Sequence, residues 1–321
     1  MSRFRSPAAC ARYAWGVLAF NVVVVLWGAV VRATGSGAGC GRHWPRCNGE
    51  ILPELASAKT MVEFTHRVTS GLAFLLMVGL LVWARRAFPV GHAARRGAGL
   101  AMIFMVLEAL LGAGLVLFEL VAENKSAARA FSMAAHLANT FLLLGAITLT
   151  AWWASGGERV RVRRQGSIGA VMMIAVAATM IVGVTGSLTA LGDTLFPKTD
   201  LGISVGPAAH FLERLRIVHP LFAVATAVYV TVAGWMARRN RPGDATLLLS
   251  RLLAGLFGVQ LFAGVMNIVL RVPLWMQLVH LFLADAVWIV LVLTTAATLA
   301  DRSEDEPASA ATRRARTPAT V

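Results

Sequence analysis

The first apolar run of the chain, YAWGVLAFNVVVVLWGAVVR at residues 13–32, decides the class of fold. A helix needs roughly 20 mostly apolar residues to cross the hydrocarbon core of a bilayer. The 321-residue chain is 57% hydrophobic and 14% charged, which is not the composition of a soluble protein. Runs of this kind cover residues 13–32, 64–84, 98–118, 131–154, 168–189, 215–236, 251–271 and 274–299. They lack the alternation of barrel strands, so the sequence predicts an all-α integral membrane protein with eight transmembrane helices.

The run at 13–32 could be mistaken for a secretory signal. It is longer than the usual signal core of 7–15 apolar residues, and no small-x-small cleavage site follows it. We therefore interpret it as the first transmembrane helix.

The basic residues set the predicted orientation of the helices. The chain has 30 Lys and Arg against 16 Asp and Glu, a formal net charge of +14, which in a soluble protein would suggest a nucleic-acid partner. Here the excess lies in the amino tail and in alternate connections. Those connections carry Arg85, Arg86, Arg95, Arg96, Arg159, Arg161, Arg163, Arg164, Arg238, Arg239 and Arg241. The positive-inside rule then predicts a bacterial inner membrane protein with both termini in the cytoplasm, and no nucleic-acid partner is expected. The outer loops are residues 33–63, 119–130, 190–214 and 272–273.

Helices one to four repeat in helices five to eight. The matched landmarks are His66 with His219, Glu108 with Gln260, Gly112 with Gly264, His136 with His280, and Thr34-Gly35-Ser36 with Thr185-Gly186-Ser187. Each half has an even number of helices, so both halves share one orientation about an axis along the membrane normal. The sequence predicts two tandem pseudo-symmetric four-helix bundles, at residues 13–154 and 168–300. A cytoplasmic linker at 155–167 joins them, and tails at 1–12 and 301–321 flank them, the second predicted to be disordered.

Four of the seven histidines lie inside predicted helices. They are His66, His136, His219 and His280, near the outer ends of helices two, four, six and eight. At 1.5 Å per residue all four lie roughly 5–10 Å below the outer surface, and each half contributes two. A single histidine in an apolar helix is more often a packing residue. Two on facing helices can hold haem iron from both sides, so we predict one haem-sized site in each half. His43, His92 and His210 lie in loops and are interpreted as solvated or loop-bonding residues.

Small residues follow each of these four histidines by one helical turn. They are Ser70, Thr140, Ala223 and Ala284. Small residues also serve plain helix packing. Their occurrence on the same face at all four positions favours a flat ligand lying against each helix.

An acid distinguishes the first half from the second. Glu63 precedes His66 by three residues, which places both on one helix face. The second half reads Arg216-Ile217-Val218-His219, with no acid at the matching position. An acid near the start of a helix is often only a favourable charge for the helix dipole. Beside one of two duplicated sites, we interpret Glu63 as a reactive group that takes a proton or stabilises positive charge on a substrate.

Two cysteines, Cys40 and Cys47, lie in the first outer loop. Outside the inner membrane they can form a disulfide, whereas Cys10 on the cytoplasmic side stays reduced. A structural disulfide is the favoured interpretation, and a redox-active pair that reduces the site beneath it is the alternative. A zinc site is disfavoured because His43 is the only nearby third ligand.

These motifs together resemble the haem A synthase family. The resemblance lies in Val31-Arg32-Ala33-Thr34-Gly35-Ser36-Gly37, Cys40, Trp44-Pro45, Cys47, Glu63-Phe64-Thr65-His66-Arg67, and the His136, His219 and His280 helices, and it spans about residues 13–300. It implies oxidation of the C8 methyl group of haem O to a formyl group. The reaction proceeds by successive hydroxylations with oxygen from water and supplies haem A to terminal cytochrome oxidases.

The resemblance also implies roles for single residues. His66 and His136 would be the axial ligands of the substrate haem, with Glu63 as the essential acid, while His219 and His280 would hold a haem b cofactor. Cys40 and Cys47 would match the loop pair of the family. Some members carry a second cysteine pair in the outer loop of the second half, but residues 190–214 contain none.

The expected mechanism has haem b carrying electrons out of the substrate site. Glu63 accepts protons or stabilises a cationic methyl carbon as water attacks. Expected partners are haem O synthase, which makes the substrate, and the cytochrome oxidase assembly machinery. The electron acceptor is left open, as is the choice between a single chain and a homo-oligomer.

Two other classes of protein compete with an enzyme. A bis-haem transmembrane electron-transfer cytochrome b would explain four histidines at one depth, but not an acid in one half only. A transporter would explain the duplication, but no broken, proline-interrupted helix is expected at mid-membrane.

Overall fold

The computed structural model describes residues 6–54, 57–161, 165–196 and 211–300 of the chain. These residues form α1 (Pro7–Ala33), α2 (Ala58–Ala87), α3 (Ala93–Leu117), α4 (Ala127–Ala154), α5 (Gly166–Leu195), α6 (Phe211–Asn240), α7 (Asp244–Val269) and α8 (Leu274–Thr298). All eight helices are long and apolar enough to cross a membrane. The predicted eight-span, all-α membrane fold is confirmed. The predicted disordered tail at 301–321, His210, Arg163 and Arg164 lie outside the described residues.

Most of the helices extend beyond the apolar runs that predicted them. α1 begins at Pro7, where the Ser6 hydroxyl caps it by accepting from the Ala9 amide at 3.4 Å, so part of the predicted amino tail is helical. α2 begins at Ala58, six residues before the predicted start, with Ser57 as its cap. A run of hydropathy marks only the hydrocarbon-spanning part of a helix, whereas capping side chains set where the helix begins.

The proline of α6 does not break that helix. Pro220 lies inside α6, directly after His219, and the helix continues to Asn240. The expectation that no transmembrane helix is broken by proline therefore holds for α6.

Each half of the chain forms a closed ring of helices. α1, α2, α3 and α4 pack in order, with α4 returning to α1, and α5, α6, α7 and α8 repeat this arrangement. Across the boundary α4 packs against α5 and α8, and α1 packs against α8 and α5. The molecule is therefore two four-helix bundles that share a wall built from the first and last helix of each.

Aromatic packing fixes the middle of this wall. Trp288 of α8 donates its indole N–H to the carbonyl of Phe141 on α4 at 2.6 Å, and the two rings stack with centroids 4.9 Å apart. Gly145, one turn further along α4, packs against the same indole, and a Cβ there would make an ordinary van der Waals contact, 3.5 Å from Trp288 Nε1.

A buried arginine joins the two halves at the end of α1. Arg32 donates to the Ala190 carbonyl at 2.7 Å and the Thr194 hydroxyl at 2.6 Å, both on α5, and to Gln277 Oε1 on α8 at 2.8 Å. These hydrogen bonds offset the cost of removing a guanidinium from water. Arg32 therefore links the two bundles through hydrogen bonds.

The helix contacts correct one of the sequence matches between the halves. Gly28 of α1 lies against His66, and Gly186 of α5 lies against His219. Gly28 and Gly186 are therefore equivalent, at an offset of 158 residues. The match of Thr34-Gly35-Ser36 to Thr185-Gly186-Ser187, at 151 residues, is wrong: Gly35 has a φ of +63° in the turn after α1, whereas Gly186 is inside a helix.

Candidate functional site

The four helical histidines lie at one level of the molecule. They are six to nine residues from the starts of α2, α4, α6 and α8, which is about 9–14 Å along each helix. These distances run from the start of each helix and not from the membrane surface, so the predicted depth of roughly 5–10 Å stays a prediction. We call this end of the molecule, where α1, α3, α5 and α7 finish, the histidine end.

The histidine side chains are near one another within each half. His66 is close enough to His136 to interact electrostatically, and His219 is related in the same way to His280. All four side chains are partly buried. The structure thus brings together the two pairs that the sequence predicted, one in each bundle.

Each histidine packs against a glycine on the preceding helix. A Cβ would lie 3.2 Å from His66 Cε1 at Gly28, 3.9 Å from His136 Nε2 at Gly112, 2.9 Å from His219 Cε1 at Gly186, and 3.2 Å from His280 Cε1 at Gly264. At Gly28, Gly186 and Gly264 these distances are shorter than an ordinary van der Waals contact, so the close approach of the helices there depends on glycine. The same four contacts define where each imidazole ring sits.

Two of the histidines have an oxygen atom close to Nδ1. His136 Nδ1 lies 3.3 Å from Glu108 Oε1, and His219 Nδ1 lies 3.2 Å from the Thr185 hydroxyl oxygen. The Thr185 hydroxyl donates to the Val182 carbonyl at 3.0 Å, so it offers the histidine a lone pair. An acceptor at Nδ1 keeps the ring proton there and leaves the Nε2 lone pair free for a metal.

These features fit a haem in each half. Each bundle contains two nearby imidazoles. In the described residues, Nδ1 of His66, His136 and His280 is buried without a hydrogen-bond partner, so the Glu108 carboxylate lies beside His136 Nδ1 at ion-pair distance and not in a hydrogen bond. Ligation itself stays a prediction.

Glu63 is held in place by its neighbours. Its side chain is only 4% exposed, and it forms an ion pair with Arg67 one turn along α2, whose Nε donates to Oε1 at 3.1 Å. Its other oxygen, Oε2, accepts from the Cys40 amide at 2.8 Å. The acid that the sequence singled out is thus a buried, hydrogen-bonded carboxylate at the histidine end, and its catalytic role stays a prediction.

The cysteine loop is attached to the same network. Cys40 and Cys47 form a disulfide, as the favoured interpretation predicted, and Cys10 is a free, buried cysteine. Arg67 also donates to the carbonyls of His43 and Arg46 between the two cysteines. Arg67 therefore connects Glu63 to the loop.

The second half has the opposite charge at the position of Glu63. Arg216 stands there, 6% exposed, and its Nε lies 2.7 Å from Asp193 Oδ1 on α5. It also donates to the Phe196 carbonyl at 2.6 Å. The absence of an acid at this position is as predicted, and a buried ion pair of reversed polarity takes its place.

Sequence reasoning missed the role of Glu108, which it used only as a repeat landmark. The carboxylate lies in the middle of α3, accepts from Asn139 Nδ2 at 2.6 Å and from the Thr140 hydroxyl, and faces His136. Thr140, predicted only to leave space for a ligand, therefore also binds this acid. The signal was available, since an ionisable residue inside a membrane span is a functional candidate by default.

Asp285 is a second acid that sequence reasoning passed over. It lies on α8, five residues after His280, with no exposed surface. Neither carboxylate oxygen has a hydrogen-bond partner in the described part of the chain. The same rule about ionisable residues in membrane spans would have identified it.

Of the loop histidines, His92 has a structural role. Its Nδ1 accepts from the Ala94 amide at 3.2 Å and caps α3, and its ring stacks on Phe88. Burial lowers the pKa of His92 below its usual value. This is the loop hydrogen bonding that the sequence predicted.

A large cleft lies away from the four histidines. It encloses about 910 Å³ between α1 and α2. Its lining includes Ser6, Arg12, Tyr13, Leu76 and Trp83. Because it lies at the opposite end of α1 from Arg32, it is not part of the histidine site.

Comparisons with known proteins place this site in a family. Residues 11–292 match the COX15-CtaA family, described as cytochrome oxidase assembly protein. The chain is similar to a protoheme IX farnesyltransferase of Thermus thermophilus, with 53% identity over 293 residues that cover 90% of this chain and 48% of that protein. It therefore spans about half the length of this relative.

Similarity to shorter proteins extends over nearly their whole length. The haem A synthase of Bacillus pumilus is 28% identical over 287 residues, covering 84% of this chain and 89% of that protein. The haem A synthase of Geobacillus kaustophilus is 28% identical over 275 residues, covering 84% of each. The family match, the eight helices and the cysteine loop agree, and the chain belongs to the COX15-CtaA family of cytochrome oxidase assembly proteins, the haem A synthase family that its motifs resemble.

Proposed function

We propose that this chain is a haem A synthase, which oxidises the C8 methyl group of haem O to a formyl group. Each hydroxylation adds oxygen from water and releases two electrons and two protons, and the diol formed by the second loses water to leave the formyl group. The family match and the two relatives named haem A synthase support the proposal. The observation that carries it is the pair of histidines in each half, together with a buried carboxylate, Glu63, three residues before His66, where the second half has Arg216 before His219.

We infer that the two halves bind different haems. His66 and His136 bind the substrate haem, and His219 and His280 hold haem b, which when bound supplies an electron acceptor for the oxidation. Within the chain, Thr185 fixes the tautomer of His219. Glu63, kept in place by Arg67 and the Cys40 amide, stabilises positive charge at the reacting carbon or accepts a released proton.

The name of the Thermus relative applies to a longer protein. This chain matches 48% of it, and the matching stretch is the one that fits the COX15-CtaA family. We therefore assign oxidation, and not farnesyl transfer, to this chain. Haem O synthase, which carries out the farnesyl transfer, is then its upstream partner, and the oxidase assembly machinery receives the product.

We place the protein in the bacterial inner membrane with both termini in the cytoplasm. Arg85 and Arg86 lie in the last turn of α2, and Arg238 and Arg239 lie in the last turn of α6, at the end opposite the histidines. This common location supports a cytoplasmic assignment for that end. The cysteine loop and the histidine end then face the outside, where a disulfide persists.

The substitution Glu63→Gln tests the proposed function. It keeps the shape of the side chain but removes its charge, so conversion of haem O to haem A should fall about 10²- to 10⁴-fold while haem is still bound. Haems are extracted from cells that express each variant and separated by chromatography. Glu119→Gln removes an exposed acid of the next loop and should leave conversion unchanged.

Two outcomes would contradict the proposal. Normal haem A formation by folded, haem-loaded Glu63→Gln would remove Glu63 from the mechanism. Wild-type protein that binds haem but forms no formyl haem would instead be a bis-haem cytochrome b.

A further inference from the structure

We propose that Glu108 is a positioning residue of the first-half site, where its carboxylate orients His136 and makes it a stronger iron ligand than any histidine of the second half. The inference rests on the proposed function, since it takes His136 to be a haem ligand. Glu108 acts through the imidazole and does not itself reach the reacting carbon.

The carboxylate of Glu108, a residue of α3, accepts hydrogen bonds from α4, the helix that carries His136. Its side chain is 19% exposed, and its Oε2 accepts from Asn139 Nδ2 at 2.6 Å. Asn139 also donates to the Phe104 carbonyl on α3 at 2.9 Å, so the amide is itself fixed. Both Glu108 oxygens are thus occupied by donors three and four residues after His136, and the acid has one defined position.

That position places a negative charge beside Nδ1 of the imidazole. Glu108 Oε1 lies 3.3 Å from His136 Nδ1, and the Thr140 hydroxyl contacts both Glu108 and the His136 carbonyl. A carboxylate facing the distal nitrogen of a ligating histidine fixes the tautomer and ring orientation and raises the basicity of the ligand. A more basic ligand stabilises ferric over ferrous iron, and therefore lowers the reduction potential of that haem.

The second half has an amide where the first half has this acid. Gln260 is the counterpart of Glu108, and its Nε2 lies 3.4 Å from His280 Nε2. An amide carries no charge and cannot raise ligand basicity as a carboxylate does. His219 is in contact with the neutral hydroxyl of Thr185.

The presence of this carboxylate in the first half only sets the relative reduction potentials of the two haem sites. With a carboxylate on its ligand, the first-half haem has the lower potential and gives up electrons more readily than the second-half haem. Oxidation of a substrate in the first half requires electrons to leave in this direction. The exchange of one side chain, Glu108 against Gln260, therefore supplies a driving force toward the proposed cofactor site.

Removal and retention of the charge at position 108 test the inference in the full-length chain. Wild type, Glu108→Gln and Glu108→Asp are purified from cells supplied with protohaem IX, and each haem is followed by optical redox titration and by low-temperature electron paramagnetic resonance. Glu108→Gln should raise the potential of the lower-potential centre, with the ratio of reduced to oxidised haem at a fixed poise rising about tenfold, which is about 59 mV for one electron. Glu108→Asp keeps the charge and should shift this potential less, and neither variant should change the second-half centre.

Asp285→Asn is the matched control, because Asp285 is a buried acid of the second half whose carboxylate oxygens hydrogen-bond to no histidine among the described residues. It should shift neither centre. If Glu108→Gln loses its first-half haem, as a 10- to 100-fold weaker affinity would produce, Glu108→Asp decides, because it keeps the charge and should retain that haem.

The possible failures are distinguishable. Unchanged potentials in haem-loaded Glu108→Gln, or a loss of first-half haem in Glu108→Asp as complete as in Glu108→Gln, would overturn the role of Glu108 and leave the haem sites standing. No low-spin haem signal in wild type would overturn the proposed function as well.

Discussion

At the scale of single residues, the histidine end of each bundle contains an ion pair that is almost fully buried. Arg67 and Glu63 are 12% and 4% exposed, and Arg216 and Asp193 are 6% and 17% exposed. Removing one partner of such a pair leaves an uncompensated charge in a medium of low polarity and costs about 3–5 kcal/mol. The pair between Arg42 and Glu119 is 69% and 60% exposed and contributes about 0–1 kcal/mol at most.

We therefore expect Arg67→Met to destabilise the protein far more than Arg42→Met. The first substitution should cost about 3–5 kcal/mol and the second less than about 1 kcal/mol. The thermal unfolding midpoint of each purified variant in detergent measures the difference. Similar unfolding midpoints for the two variants would show that the ion pair of Arg67 with Glu63 does not stabilise the protein.

The sequence located the acid and the histidines but not their contacts. A spacing of three residues placed Glu63 and His66 on one face of a helix, as α2 shows. It could not show that Glu63 binds Cys40, because that contact depends on the conformation of a 24-residue connection between α1 and α2. Similarly, nothing in the apolar run around Glu108 revealed which side of α3 faces α4, so its contact with His136 was not predictable.

At the scale of helices, the glycine at each histidine sets how closely two neighbours approach. The contact is tightest between α5 and α6, where a Cβ on Gly186 would lie 2.9 Å from His219 Cε1. A methyl group there must displace the imidazole or separate the helices.

Gly186→Ala should therefore reduce the haem content of the second half while the first half keeps its haem. Gly255→Ala on α7 is the control, because a Cβ there meets nothing within 4 Å. That substitution should retain both haems and stabilise the helix by up to about 1 kcal/mol. The haem-to-protein ratio from optical spectra is the measurement, and full haem content in Gly186→Ala would contradict the packing argument.

Helix existence was predictable at this scale, but helix ends and the register of the repeat were not. Apolar runs identified all eight transmembrane helices, yet α2 and α6 continue past Arg85 and Arg238. Long basic side chains reach toward the lipid headgroups, so the helix continues where apolarity stops. The sequence aligned α1 with α5 incorrectly, because Thr34-Gly35-Ser36 and Thr185-Gly186-Ser187 are alike although the first lies in a turn and the second in a helix.

At the scale of the whole molecule, the two bundles are joined mainly through packed helices. Apart from the short connection between α4 and α5, the contacts are those of α1 and α4 with α5 and α8, together with the hydrogen bonds of Arg32. The connection itself contributes a single bridge, in which Val160 pairs with Ala300. Association of the halves should therefore survive a break in the chain.

Two fragments divided after Gly157 should assemble when they are expressed together, since this cut leaves Val160 with the half that contains Ala300. The amino-terminal fragment expressed alone should be unstable, because Arg32 would lose its acceptors on α5 and α8. Co-purification through a tag on one fragment, with haem bound, is the measurement. Fragments that insert in the membrane but do not associate would contradict this view of the wall.

The contacts across that wall have a symmetry of their own. Exchanging α1 with α5 and α4 with α8 converts α1–α8 into α4–α5 and leaves α1–α5 and α4–α8 unchanged. A two-fold homodimer of a four-helix ancestor would make this same set of contacts. In such a homodimer every mutation enters both sites at once, so neither site can specialise. A single chain is free of that restriction, so Glu63 in one half can correspond to Arg216 in the other, and Glu108 to Gln260.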